Sequence, residues 1–60
     1  MTFFDLIPGD NFKTTKLDVI LKKIHPVVDE YRNQWVAVSN EGRLYDSEEI
    51  KQYDEVMEIK

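Results

Sequence analysis

Cysteine is absent from this 60-residue sequence, and glycine and proline occur only twice each. Without cysteine, the chain has neither a disulfide framework nor a zinc site built on thiolates. No apolar run is long enough to span a bilayer, so the sequence predicts no membrane-spanning helix. Residues 1–10 lack the basic start of a signal peptide and include Asp5 among their apolar residues. We therefore expect a cytoplasmic protein.

Motifs for catalysis, phosphate binding and metal coordination are missing as well. The single histidine, His25, stands beside a proline, and neither serine belongs to a nucleophile elbow. Three acids near the end of the chain lack the glycine-containing loop and ligand spacing of a calcium site: Asp54, Glu55 and Glu58. We expect a protein that is not an enzyme and that holds no cofactor or metal.

The length and the charge limit the kinds of partner. A chain of this size forms a single domain, 1–60, with a small core, because it buries only about 60% of its unfolded surface. The net charge is −4, and residues 41–60 carry all of the excess, with seven acids and three bases. Phosphate repels such a chain, which disfavours nucleic acid and anionic membranes. A protein partner or a second copy in a homodimer would add buried surface.

A β-hairpin is predicted at residues 34–45. Trp35–Val38 is rich in aromatic and β-branched residues, which favour a strand. Asn40–Gly42 then interrupts the pattern, and Arg43–Tyr45 forms the return strand. A three-residue loop of this kind ends on a left-handed residue, so we expect a positive φ angle at Gly42.

The loop length places Val38 opposite Leu44 and Ala37 opposite Tyr45. Because side chains alternate across a strand, the sequence assigns three apolar residues to each face, with Val36, Val38 and Leu44 on one and Trp35, Ala37 and Tyr45 on the other. A lone hairpin is marginal in water, so other parts of the chain must cover at least one face.

The face of Leu44 is expected to be the core, packed against Val56 or Ile59 of a closing strand. The face of Trp35 has two possible roles. It is a partner-binding surface, since exposed Trp and Tyr dominate interface energetics, or it is covered by N-terminal apolar residues. The residues expected to cover it are Phe3, Phe4 and Ile7.

Residues 16–24 fit two patterns. Their apolar residues match both the spacing of a helix and the alternation of a strand: Leu17, Val19, Ile20, Leu21 and Ile24. We favour a strand, because a sheet built only from the hairpin and a terminal strand is too small, and His25-Pro26 is expected to end it. An α+β fold with a helix at 16–24 is the alternative.

Three further elements complete the prediction. Residues 11–13 begin a strand after the Pro8-Gly9 turn, and residues 55–59 form the closing strand. Ser47 is predicted to cap a short helical turn. The fold class is therefore mainly β, with about five short strands and one short helical turn.

Several short motifs resemble those of small phage- and prophage-encoded accessory proteins, namely Phe4, Leu6, Gly9, Asp10, Phe12 and the hairpin turn at Gly42. The Gly-Asp-x-hydrophobic opening is similar to the first strand of SH3-like barrels. The resemblance implies a small, partly open SH3-like barrel, although residues 25–33 depart from a standard barrel by lengthening one connection. It also implies that the protein binds a host protein in the bacterial cytosol and modulates or inhibits it.

The acidic segment after the hairpin suggests how such a partner is bound. Six acids lie within thirteen residues, opposed only by Lys51. We hypothesise that this strip meets a basic surface on the host protein and imitates nucleic-acid phosphate, while an aromatic residue is the buried anchor. The alternative is an ordinary solvated surface. The predicted partner-binding residues are Trp35, Tyr45, Tyr53, Asp46, Glu48, Glu49, Asp54, Glu55 and Glu58.

A second hypothesis is a small β-barrel that binds nucleic acid. Trp35 would stack on single-stranded bases, and four lysines would contact phosphate: Lys13, Lys16, Lys22 and Lys23. Nearby acids balance these lysines and the whole chain is acidic, so we favour the protein partner.

Overall fold

Five antiparallel strands form most of the secondary structure in the computed structural model, which describes all 60 residues. They are β1 (Asn11–Thr14), β2 (Leu21–Val28), β3 (Gln34–Ser39), β4 (Leu44–Asp46) and β5 (Val56–Ile59), and one 3-10 turn, Phe3–Asp5, precedes them. They make one open sheet in the order β4-β3-β2-β1-β5. The mainly β prediction is confirmed, and the alternative with a helix at residues 16–24 is wrong. No helix has the length and hydrophobicity that a membrane span requires.

Strand β2 continues through His25-Pro26, where the sequence predicts its end. The register with β3 is irregular between Lys23 and Val27, where β2 accommodates two more residues than β3. Proline lacks an amide donor and is tolerated at such bulges. The ladder between β1 and β2 ends at Lys22. The second half of β2 therefore pairs only with β3, and the β2–β3 hairpin projects past β1.

The β3–β4 hairpin has the predicted register. Val38 pairs with Leu44, and Ala37 pairs with Tyr45. Gly42 has a φ angle of +87°, in the left-handed region that L-residues avoid. The predicted loop and its glycine are therefore confirmed.

A β-bulge in β3 changes which side chains share a face. Trp35 pairs with Asp46 while Ala37 pairs with the adjacent Tyr45, so Val36 is an extra residue without an opposite partner. Strict alternation is lost at this point. Trp35 consequently lies on the face of Asp46, whereas Ala37 lies on the face of Tyr45.

The bulge also overturns the predicted core of the hairpin. Val36, Ala37 and Tyr45 are buried, while Val38 is half-buried and Leu44 is 42% exposed. The pairing of the strands is thus correct, but the assignment of Leu44 and Val38 to the core is wrong. The N-terminal segment packs on the opposite face.

The core contains nine apolar residues: Phe3, Leu6, Phe12, Leu21, Val36, Ala37, Tyr45, Ile50 and Val56. The rings of Phe3 and Phe12 pack with their centroids 5.3 Å apart. The amide of Phe3 donates to the carbonyl of Asp54 at 2.9 Å, which fixes the N-terminal segment over the sheet. Phe3 therefore covers the sheet as predicted, whereas Phe4 and Ile7 face solvent.

Lys23 fastens this N-terminal segment from below. Its ammonium donates to the carbonyls of Phe3 at 2.8 Å and Leu6 at 2.7 Å. It also lies 4.5 Å from the centroid of the Phe3 ring, a favourable cation–π geometry. Burial lowers the pKa of the Lys23 ammonium, which nearby Asp10 and Asp5 partly oppose. The 3-10 turn is thus attached to the sheet by one side chain.

The connection between β4 and β5 begins with a turn, and its cap differs from the prediction. The Asp46 carboxylate accepts the amides of Glu48 and Glu49, both at 3.0 Å. The Ser47 amide instead donates to the Gln34 carbonyl at 2.9 Å. Asp46, and not Ser47, therefore caps this turn.

Candidate partner-binding surface

The face of the sheet opposite the core carries two adjacent rows of side chains. In the first row, Val38 lies between Leu44 and Lys22. In the second, Trp35 lies between Asp46 and Val27. Residues directly opposite each other in antiparallel strands have side chains in contact range. The two rows therefore form one continuous surface across β4, β3 and β2.

Four residues of these rows are apolar, and we call them the outer patch: Val27, Trp35, Val38 and Leu44. Val27 is 55% exposed and Leu44 is 42% exposed, while Trp35 and Val38 are half-buried. Asp46 and Lys22 border the patch at either side. Contiguous apolar surface rimmed by polar groups is typical of protein-binding sites.

Trp35 is held in place by the loop that follows β2. Its indole Nε1 donates to the Asp29 carboxylate at 3.1 Å, and the same carboxylate accepts the amides of Tyr31 at 2.8 Å and Asn33 at 2.9 Å. Desolvation disfavours the charged form of Asp29, but hydrogen bonds from Asn33, Trp35 and Tyr31 outweigh it and lower the pKa of this carboxyl. A fixed aromatic ring loses little entropy when a partner binds.

The three predicted aromatic anchors have different environments. Trp35 lies on the outer patch. Tyr45 is buried in the core, and its ring packs 4.3 Å from the Arg43 guanidinium carbon, so it is not a surface anchor. Tyr53 is exposed, in the turn before β5. The structure therefore does not bring the three aromatic residues together.

The acidic strip is divided between the two edges of the sheet, since Asp46 belongs to β4 and Glu58 to β5. Most of its carboxylates already have partners. Besides capping by Asp46, Glu49 pairs with Arg43 at 3.1 Å, Asp54 lies 3.7 Å from Lys16, and Glu55 lies 3.3 Å from the Met1 amino group. Only Glu48 and Glu58 form neither an ion pair nor a side-chain hydrogen bond. The six acids therefore do not form one free strip.

The four lysines of the nucleic-acid hypothesis are also separated. Lys13 lies 3.6 Å from Asp18, and Lys16 is paired with Asp54. The Lys23 ammonium is occupied by backbone carbonyls. Lys22 alone borders the outer patch. These lysines do not form a single basic surface.

Sequence reasoning missed Val27 and Leu44 as surface residues beside Trp35. The signal for Val27 is Pro26, since a proline inside a strand indicates an edge or a bulge. The bulge at Val36 leaves no such mark, because none of the residues in QWVAV is a glycine or a proline.

Comparison with known proteins adds no relative. The chain matches no protein-family model, no curated protein and no solved structure. The resemblance to phage accessory proteins and to SH3-like barrels thus stays a prediction. The fold and the surface define a small antiparallel β-sheet protein with an apolar patch on the open side of its sheet.

Proposed function

We propose that this chain is a protein-binding module that docks a protein partner on the outer patch. In a phage setting, as the resemblance implies, the partner is a host protein whose activity the module modulates or inhibits. The outer patch is the observation that carries the proposal. Four apolar side chains in two paired rows are not used by the core, and one of them is a tryptophan.

The rigidity of the patch supports this function. Trp35 is fixed by Asp29, and its neighbours Val27 and Val38 are held by the ladders on both sides of β3. Interface hot spots are enriched in tryptophan and lie among contacts that exclude water. A preformed patch on a sheet spends little free energy on ordering when it binds.

The net charge of −4 supports a partner with a basic surface. Complementary charge speeds the encounter and orients the two proteins, and its effect falls as salt rises. Asp46 lies directly beside Trp35, so negative charge adjoins the patch itself. We expect association to slow with increasing salt.

The test uses two double variants of the tagged protein in a bacterial lysate. Val27→Ser/Leu44→Ser removes apolar surface from the outer patch. Phe4→Ser/Met57→Ser is the matched control, because these two residues are at least as exposed but lie elsewhere. Thermal unfolding confirms that both variants fold.

The proposal expects a protein that wild type and control retain, and that the patch variant retains at least about tenfold less. Equal retention by all three proteins places the interface elsewhere and contradicts the proposal. Retention of single-stranded DNA that fades with salt, with no protein retained, supports nucleic-acid binding instead.

A further inference from the structure

A cleft of about 350 Å³ opens beside the base of the β2–β3 hairpin. Its floor is formed by the buried side chains of Phe3, Val36 and Ile50, and Gln34 and Tyr53 stand at its sides. An apolar floor with a polar rim suits a single apolar or aromatic side chain of a partner.

The loop at the other end of this hairpin, residues 29–33, presents such a side chain. Tyr31 is 79% exposed, and Val28 just before the loop is 62% exposed. Arg32 has a φ angle of +67°, a conformation that is uncommon outside glycine and clusters at functional sites. Hydrogen bonds to Asp29 hold the loop in this shape. The loop therefore presents Tyr31 in a fixed position.

Charges around the loop and the cleft are complementary. Tyr31 stands between Glu30 and Arg32, and neither of these forms an ion pair within the chain. Lys51 lines the cleft and Glu48 lies in the turn beside it, and these two also have no ion pair. An acid and a base around the tyrosine thus match a base and an acid around the cleft.

The cleft and the loop lie at opposite ends of the same hairpin. Val28 pairs with Gln34, so these side chains share a face, and Gln34 lines the cleft. Two copies related by a two-fold axis can align their hairpins in opposite directions. Each loop then meets the cleft of the other copy, and both contacts form together, as a two-fold interface requires.

We propose that the chain forms a two-fold homodimer in which Tyr31 of each copy enters the cleft of the other. Arg32 pairs with Glu48, and Glu30 pairs with Lys51, across the interface. A domain with nine core residues gains stability from such additional burial. The outer patch takes no part, so the dimer is independent of the proposed function and presents that patch twice.

Sedimentation velocity of the purified full chain, from about 10 μM to about 1 mM, measures the dimer. The expected result is a concentration-dependent dimer that Tyr31→Ala weakens at least about tenfold. Phe4→Ala removes an equally exposed aromatic ring elsewhere and leaves the dissociation constant within about twofold. A chain that stays monomeric throughout, or a dimer that Tyr31→Ala does not weaken, overturns the proposal.

Charge reversal tests the pairing of the two copies. Arg32→Glu alone and Glu48→Arg alone each weaken the dimer, because each places like charges together. The combined Arg32→Glu/Glu48→Arg variant restores the dimer to within about threefold of wild type. Failure of this restoration contradicts the proposed contact. Val27→Ser/Leu44→Ser remains dimeric, which separates this result from the test of the outer patch.

Discussion

Single residues connect parts of this small fold that backbone pairing does not join. Lys23 is the main example, since its ammonium bonds two carbonyls of the N-terminal segment and packs on the Phe3 ring. Asp29 has the same kind of role in the 29–33 loop, where it accepts amides and the Trp35 indole. In a core of nine residues, each such contact is a large share of the net stability.

Lys23→Met keeps most of the side-chain length but removes both hydrogen bonds. We expect a loss of about 1–3 kcal/mol in the free energy of unfolding, because two partly buried carbonyls lose a charged donor. Urea unfolding measures this loss. Lys22→Met, at the neighbouring exposed position, is the control and changes stability by less than about 0.5 kcal/mol. Equal stability of the two variants contradicts the anchoring role of Lys23.

The β2–β3 hairpin is the element that gives the molecule its surfaces. Its bulges allow a proline in β2 and move Trp35 to the outer face of β3. Its second half extends past β1, so Val27 and Val28 are exposed. The outer patch and the proposed dimer contact therefore both depend on how this hairpin leaves the sheet.

The loop of this hairpin predicts a pH dependence. The pKa of Asp29 lies below its ordinary value of 3.8 in the folded protein, so the unfolded chain binds the proton more readily. The hydrogen bonds of Asp29 therefore stabilise the fold above that ordinary value, and this contribution is lost as pH falls through the lower folded value. Urea unfolding between about pH 2 and pH 5, followed by Trp35 fluorescence, measures it.

Asp29→Asn is the matched variant for this measurement, because its amide oxygen still accepts hydrogen bonds but does not titrate. We expect the stability of wild type to fall more steeply with acid than that of the variant. Parallel pH profiles would show that the Asp29 carboxylate does not contribute in this way.

At the scale of the whole molecule, the side on which the N-terminal segment packs decides which face becomes core. Phe3 and Leu6 cover the face of Tyr45 and Ala37, and the face of Leu44 is left to solvent. The open sheet thus has one packed side and one side available to a partner. This asymmetry is what a small binding module needs.

Two leucine substitutions test this asymmetry. Leu21→Ala removes a fully buried side chain and is expected to cost about 2–5 kcal/mol, enough to unfold much of so small a domain. Leu44→Ala removes a partly exposed side chain on the outer patch and costs less than about 1.5 kcal/mol. Thermal unfolding compares them. A loss for Leu44→Ala as large as that for Leu21→Ala would return the Leu44 face to the core.

The sequence by itself determined the local features of this protein. The mainly β class, the β3–β4 register and the positive φ angle at Gly42 follow from strand propensity, alternation and loop length, which act over a few neighbouring residues. The absence of cysteine and the uneven charge were equally direct readings of the chain.

Only the tertiary structure decided which face is buried and which charges are free. The bulge at Val36 costs nothing that a sequence pattern records, yet it moves Trp35 to the other face. The partners of Lys23, Glu49 and Glu55 are distant or unrelated in the chain, so their pairing depended on the packed fold. Burial and ion pairing are properties of contacts between distant segments, and such contacts form only when the whole chain has chosen one arrangement.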